Sequence, residues 1–137
     1  MTDLTELTRD WLDIIASGAF HAWAGKVAKD VVFRLPFAPP GVAAELRGFD
    51  HAQDVLRGVW STKQSFAWRD VVIRRTEDPD LIVTTARSEA IVNPDTPYAN
   101  SYVIFTRFRD GQVVEHVEYF NPLAVMELFG GRGGAVD

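Results

Sequence analysis

Leu4, Leu7, Trp11, Ile14 and Ile15 recur at the three-and-four spacing of one helix face, and Asp3 with Glu6 makes a capping-box pattern ahead of them. Gly18 ends or kinks that helix. AFHAWAGKVA predicts a second, short helix and DVVFRLPF a strand, whereas consecutive prolines and a glycine make APPGVAAELRG a loop. From Asp50, HAQDVLRGVW predicts a third helix with Ala52, Val55, Leu56, Val59 and Trp60 on its apolar face. The remainder reads mostly as strand: SFAWRDVVIRRTE, a DPD turn, LIVTTARSEAIV, a proline-bounded NPDTP loop, YANSYVIFTRFR and QVVEHVEYF. Helices first, then a long antiparallel meander with one strand inserted early, define an α+β fold. Its curved sheet wraps around the N-terminal helices, with a short C-terminal helix at the end.

Asp110-Gly111 is a two-residue hairpin signal, because both positions of a type I′ turn need positive φ. If Arg109 pairs with Gln112, an uninterrupted register sets Val103 opposite Glu118, Phe105 opposite His116 and Ser101 opposite Phe120. The other face then carries Tyr102, Ile104, Thr106 and Phe108 with Glu115, Val117 and Tyr119. Both faces are substantially apolar, so the helices should cover one and a second subunit the other. A homodimer through the sheet is the expectation.

Past the last strand, Asn121 suits an N-cap and Pro122 the first helical position, with Phe120 and Val125 at staple positions and Gly130 or Gly131 as C-cap. Asn-Pro is thereby explained by structure. His116 and Glu118 are not, and they share a strand face with Phe120. A carboxylate among Val103, Phe105, Val117 and Tyr119 would be partly desolvated, which raises its pKa toward that of a general acid or base. Against this stands a plain ion pair at the sheet edge. Arg87 and Glu89 lie two residues apart on the third strand of the chain, LIVTTARSEAIV, and a matching register would bring them to Glu118. An arginine between two carboxylates keeps one ionised while the other holds a proton; a surface ion pair is the plainer alternative. His116 is a second acid–base candidate or a satisfied structural histidine.

Composition narrows the choices. The 137 residues make one domain, 1–137, with GGRGGAVD at 130–137 as a flexible tail and not a phosphate loop. A net charge of −5 argues against nucleic acid or an anionic membrane as partner. Without cysteine there is no disulfide or thiol chemistry, and His21, His51 and His116 lack metal-ligand spacing. No metal and no cofactor are expected. The N-terminus has no signal-peptide pattern, so a cytoplasmic location follows by default.

DVVFRLPFAPPG, RGFD, DPD, RFRDGQVV and above all EYFNPLAVMELFG resemble the SnoaL-like branch of the nuclear transport factor 2-like superfamily, over nearly the whole chain. The last segment also resembles the phenazine-biosynthesis A/B proteins. The resemblance implies a cone-shaped α+β barrel around a deep apolar pocket, commonly dimeric. In phenazine-type proteins a glutamate just before the strand's end is the acid–base group, and Glu118 matches it. In limonene-epoxide hydrolase-like members an aspartate there works with an Arg-x-Asp pair, which Arg87-Ser88-Glu89 matches. Those hydrolases position a water with a tyrosine and an asparagine on the first strand, where this chain has Phe33 and Leu35.

Catalytic residues are therefore expected at Glu118, Arg87, Glu89 and His116, and substrate contacts at Phe33, Leu35, Trp60, Tyr102, Phe105 and Phe120. The reaction implied is proton transfer of isomerase, cyclase or lyase type on a small apolar, cyclic substrate. A non-catalytic ligand-binding or assembly module is the alternative, and an epoxide hydrolase a further one. A pure binder has no need of buried ionisable groups, which are costly to hold.

Overall fold

The computed structural model describes residues 3–130. Helix α1 (Leu4–Ser17) is capped by Asp3, whose Oδ1 accepts from the Thr5 N–H at 2.9 Å and the Thr5 hydroxyl at 2.7 Å. Gly18 ends it in the left-handed region at φ 66°, where a side chain would be strained. The expected second helix is only a 3₁₀ turn, Phe20–Trp23, because the chain turns at Gly25 (φ 78°) and enters β1 (Val27–Arg34). The segment read as a loop contains β2 (Glu45–Arg47): its prolines lie in the turn, and beyond them Leu46 is buried opposite Phe33. Then follow α2 (Phe49–Trp60), β3 (Lys63–Arg75), β4 (Leu81–Val92), β5 (Thr96–Arg109), β6 (Gln112–Phe120) and α3 (Pro122–Gly130). Of the expected tail, residues 131–137 lie outside the described residues.

The sheet runs β2-β1-β6-β5-β4-β3, with only β1 and β6 parallel. It is curved but not closed, since β2 and β3 remain edges. The helices fill its inner side, where Trp11, Trp23, Val31, Phe33, Ile82, Phe108 and Val113 form the core. The fold is the expected α+β cone. Among the described residues no helix is long and apolar enough to cross a membrane.

The β5–β6 hairpin turns as predicted, with Asp110 at φ 53° and Gly111 at φ 76°, and Arg109 pairs with Gln112 and Phe108 with Val113. One residue later the register departs from expectation. Arg107 pairs with Glu115, leaving Val114 as an extra residue on β6. The bulge lets Val113 and His116 both face inward, each 2% exposed. Beyond it the partners are Thr106 with His116, Ile104 with Glu118 and Tyr102 with Phe120. A slip of one residue exchanges the faces of a strand. Tyr102 therefore joins Glu118 inside, and Val103 and Phe105 go outside.

Candidate active site

The strand β6 sets His116, Glu118 and Phe120 on the inner face, as alternation requires. Helix α1 lies against them and supplies Trp11. Its indole N–H donates to Nδ1 of His116 at 3.1 Å, in a contact buried between helix and sheet. Nε2 of the same ring stands 3.0 Å from Oε1 of Glu118. The indole has no acceptor lone pair, so Nδ1 must be the bare nitrogen and Nε2 carries the hydrogen. The protons are thereby ordered: Trp11 donates to His116, and neutral His116 donates to the Glu118 carboxylate. The imidazole is almost sealed, with 3% of its side chain exposed, whereas Glu118 keeps 20%. Oε2 of Glu118 has no hydrogen-bond partner among the described residues. This is a carboxylate aimed by a buried relay.

Glu118 opens on a cavity of about 470 Å³. Phe33, Leu35, Leu46, Trp60, Phe66, Trp68 and Phe120 are among the apolar side chains of its wall, a composition and size usual for small-molecule sites. Its polar lining includes Tyr98, Tyr102 and Lys63 besides His116 and Glu118. The Tyr102 hydroxyl is 2.8 Å from Oγ of buried Ser88. Asn100 orients Tyr98. Its Oδ1 accepts the N–H groups of Ser101 and Asn121, both at 2.8 Å, which leaves its amide nitrogen to donate to the Tyr98 hydroxyl at 2.6 Å and to the Asn121 carbonyl at 3.1 Å. All the amide's main hydrogen-bonding directions are used, so Tyr98 accepts at one lone pair and keeps its own proton to donate.

Burial pushes both phenols above their ordinary range, Tyr102 much further than Tyr98, and the nearby Glu118 carboxylate adds to the push. Each remains a phenol, and so a proton donor, at neutral pH. Lys63 differs. Its ammonium lies over the Trp60 ring, 4.8 Å from the centroid, with no carboxylate in ion-pair contact among the described residues. Burial pushes it below the ordinary lysine range, and Glu118 opposes that push.

The cavity thus brings together Glu118, His116, Phe33, Leu35, Trp60, Tyr102 and Phe120 from the expected site. It does not include Arg87, Glu89 or Phe105. Along β4 the buried positions are Ile82, Thr84, Ala86, Ser88, Ala90 and Val92, so Arg87 and Glu89 point outward, where each is about half exposed. Arg87 donates to Asp70 at 2.7 Å, and Glu89 lies 3.6 Å from Arg69. Within that motif it is Ser88 that turns inward. Phe105 sits on the outer face against Tyr119, ring centroids 6.1 Å apart, because the bulge reversed its side.

Trp11, Ser88, Tyr98, Asn100 and Lys63 were missed in the sequence. Tyr98, Asn100 and Tyr102 alternate, so period two alone placed them on one face. Nothing in the pattern marks the donor role of Trp11, which sits among the apolar positions of its helix.

Cone, inner relay and apolar cavity together define a small pocket protein of the nuclear transport factor 2-like superfamily. The chain belongs to its SnoaL-like domain family, whose profile matches residues 8–116 and stops just short of Glu118. A PhzA/B-like protein from Pseudomonas aeruginosa, itself uncharacterized, is 26% identical over 121 residues, covering 88% of this chain and 85% of its own. A Bacillus subtilis structure described as a candidate isomerase superposes with a TM-score of 0.82 at 24% identity, covering 92% and 91% of the two chains. IdmH of Streptomyces antibioticus, described as a candidate polyketide cyclase, superposes with a TM-score of 0.73 at 20% identity over 94% and 99%. These likenesses fix the fold.

Proposed function

We propose that the chain is a cofactor-free acid–base enzyme of isomerase, cyclase or lyase type, acting on an apolar, cyclic small molecule in the inner cavity. The observation that carries this is the Trp11–His116–Glu118 relay ending at a free carboxylate oxygen in an apolar cavity. Glu118 removes a proton from an acidic C–H of the substrate, and His116, donating from Nε2, holds the carboxylate in place while it does so. Tyr98 and Tyr102, kept protonated by burial, supply hydrogen bonds or a proton to the substrate's polar atom. The descriptions of two structural relatives, one as an isomerase and one as a polyketide cyclase, agree with proton-transfer chemistry. Epoxide opening is disfavoured, since Phe33 and Leu35 line the cavity where a water would need polar partners. A cytoplasmic location, and a homodimer formed through the outer sheet face, belong to the same proposal.

The test is carbon-bound hydrogen exchange. The protein is incubated in D2O with a panel of cyclic ketones and enones, 2-tetralone first, and mass spectrometry reads deuterium uptake. Exchange above the buffer rate that disappears in Glu118→Gln, with unchanged thermal unfolding, supports the assignment. Panel members that quench the cavity tryptophans but exchange no faster than in buffer would make the chain a binding module.

A further inference from the structure

Lys63 is the one lysine among the cavity residues; the chain's other two, Lys26 and Lys29, are exposed. It opens β3 directly behind the end of α2, opposite Val92 on β4, and β5 continues that row at Thr96. Glu118 belongs to a distant row: its partner Ile104 pairs with Thr84, eight residues along β4 from Val92. On a flat strand that separation is about 26 Å. Yet Lys63 and Glu118 line the same cavity, and the carboxylate acts on the ammonium. The curl of the sheet, with register shifts in β3 on either side of Ser65–Arg69, folds the two rows toward each other.

The pair do not form an ion pair, however. The ammonium has three donors, and among the described residues its contact is the face of Trp60. A half-buried cation without a hydrogen-bond acceptor in the protein weakens the fold unless something else uses it. Charge balance says what. With Glu118 ionised and Lys63 protonated, the cavity is neutral as it stands. An anionic ligand would leave it with a net buried negative charge. A neutral ligand preserves the balance, and so does a reaction in which Glu118 gains a proton while the ligand gains the negative charge.

We propose that Lys63 binds the carbonyl oxygen of a neutral ketone or ester and stabilises the enolate oxygen formed when Glu118 takes the α-proton. The proposal rests on Glu118 acting as a base, and it narrows the substrate to a neutral carbonyl compound with an acidic α C–H. In the step, the C–H electron pair becomes the new C=C bond and the carbonyl π pair moves to oxygen. The proton goes to Glu118, and Lys63 keeps all of its own. Where the carbonyl compound is β,γ-unsaturated, the enolate extends over that double bond, and returning the proton from Glu118 to the γ-carbon completes an isomerisation, with no oxidant or reductant. The negative charge moves from carboxylate to ligand oxygen, where the ammonium answers it.

The coloured phenolate of 4-nitro-1-naphthol serves as the enolate probe, and naphthalene, which quenches tryptophan fluorescence, as the apolar control. Glu118→Gln imitates the uncharged carboxyl of the intermediate, and that variant should bind the phenolate about tenfold or more tightly than the unaltered protein does. Adding Lys63→Met should weaken phenolate binding about tenfold or more, Lys63→Arg should restore part of it, and naphthalene binding should stay unchanged in all three. Phenolate binding that ignores Lys63→Met, with naphthalene still bound, overturns the role of Lys63 and leaves Glu118 as base untouched. Failure of naphthalene to bind any form overturns the cavity reading and this proposal with it. Trapping of 2-tetralone on Lys63 by cyanoborohydride, in preference to Lys26 and Lys29, would also overturn it by making the amine a nucleophile.

Discussion

The two faces of one sheet treat charge in opposite ways. On the outer face and its rims, charges answer one another: Arg87 with Asp70 at 2.7 Å, Arg69 with Glu89 at 3.6 Å, Arg107 with Asp78 at 2.8 Å, and Arg34 between Glu45 and Glu115. Those groups keep about a third or more of their surface in water, apart from Glu115 at 28%, and such pairs are worth little. On the inner face Glu118 is held by a neutral histidine and Lys63 by an aromatic ring. Neither arrangement cancels the charge. A fold under selection for stability alone would pair these two groups or replace them by apolar residues. The inner face keeps them apart across an apolar space large enough for a ligand, and that difference marks it as the working face.

The comparison breaks most sharply at Glu118. Replacing it with Gln keeps shape and removes the base, so turnover on any substrate found should fall about 10²–10⁴-fold. The melting temperature should hardly move, since His116 can still donate to the amide oxygen. Activity surviving this change would reduce the inner charges to structure. A step down in size is Trp11→Phe, which deletes the N–H that fixes the histidine tautomer. Nδ1 of His116 then loses its donor inside a site where only 3% of the side chain is exposed. Stability should drop by about 1–3 kcal/mol, and kcat should fall while substrate affinity is kept.

Much of this was legible in the chain. Asp3, Gly18, Asp110-Gly111 and Asn121-Pro122 state their local geometry, and the structure follows each of them: Asn121, for example, caps α3 by accepting the Leu123 N–H at 3.0 Å. Local signals of this kind need no knowledge of distant contacts. What failed was long range. Val114 carries no mark of a bulge, and the decision to bury both Val113 and His116 comes from β1 and α1 packing on that strand. That one extra residue moved Tyr102 inward and Phe105 outward. Arg87 and Glu89 followed the same logic: their spacing was right for a shared face, but which face depends on a register that no turn in the sequence specifies.

Lys63 sharpens the comparison through pH. Burial depresses its folded-state pKa, so between that value and the ordinary one of about 10.4 the unfolded chain holds more protons than the folded chain. Stability contributed by this group therefore rises with pH across that window. At neutral pH, where both states are protonated, the buried charge only weakens the fold. Lys63→Met should accordingly melt slightly higher than the unaltered protein at pH 7, with the gap closing toward pH 10. The loss of the stacking on Trp60 works in the other direction and keeps the gain small. Melting curves that shift equally at both pH values would mean that Lys63 is solvated like the outer charges.

The smallest effects belong to the outer face, and they test it from the other side. Arg87→Gln and Glu89→Gln each remove one partner of an exposed pair, and each should change stability by less than about 0.5 kcal/mol. The pair energies should fade further in high salt, as screened surface interactions do. Neither side chain reaches the cavity, and Ser88 between them holds the inward position beside Tyr102. Turnover should stay within about twofold in both variants, since substitutions away from strained or buried features are close to neutral. A loss of activity in Glu89→Gln comparable to that in Glu118→Gln would mean that the two carboxylates communicate through the sheet. The same loss with Arg87 intact and Asp70 still paired would require β4 to present a different face during the reaction.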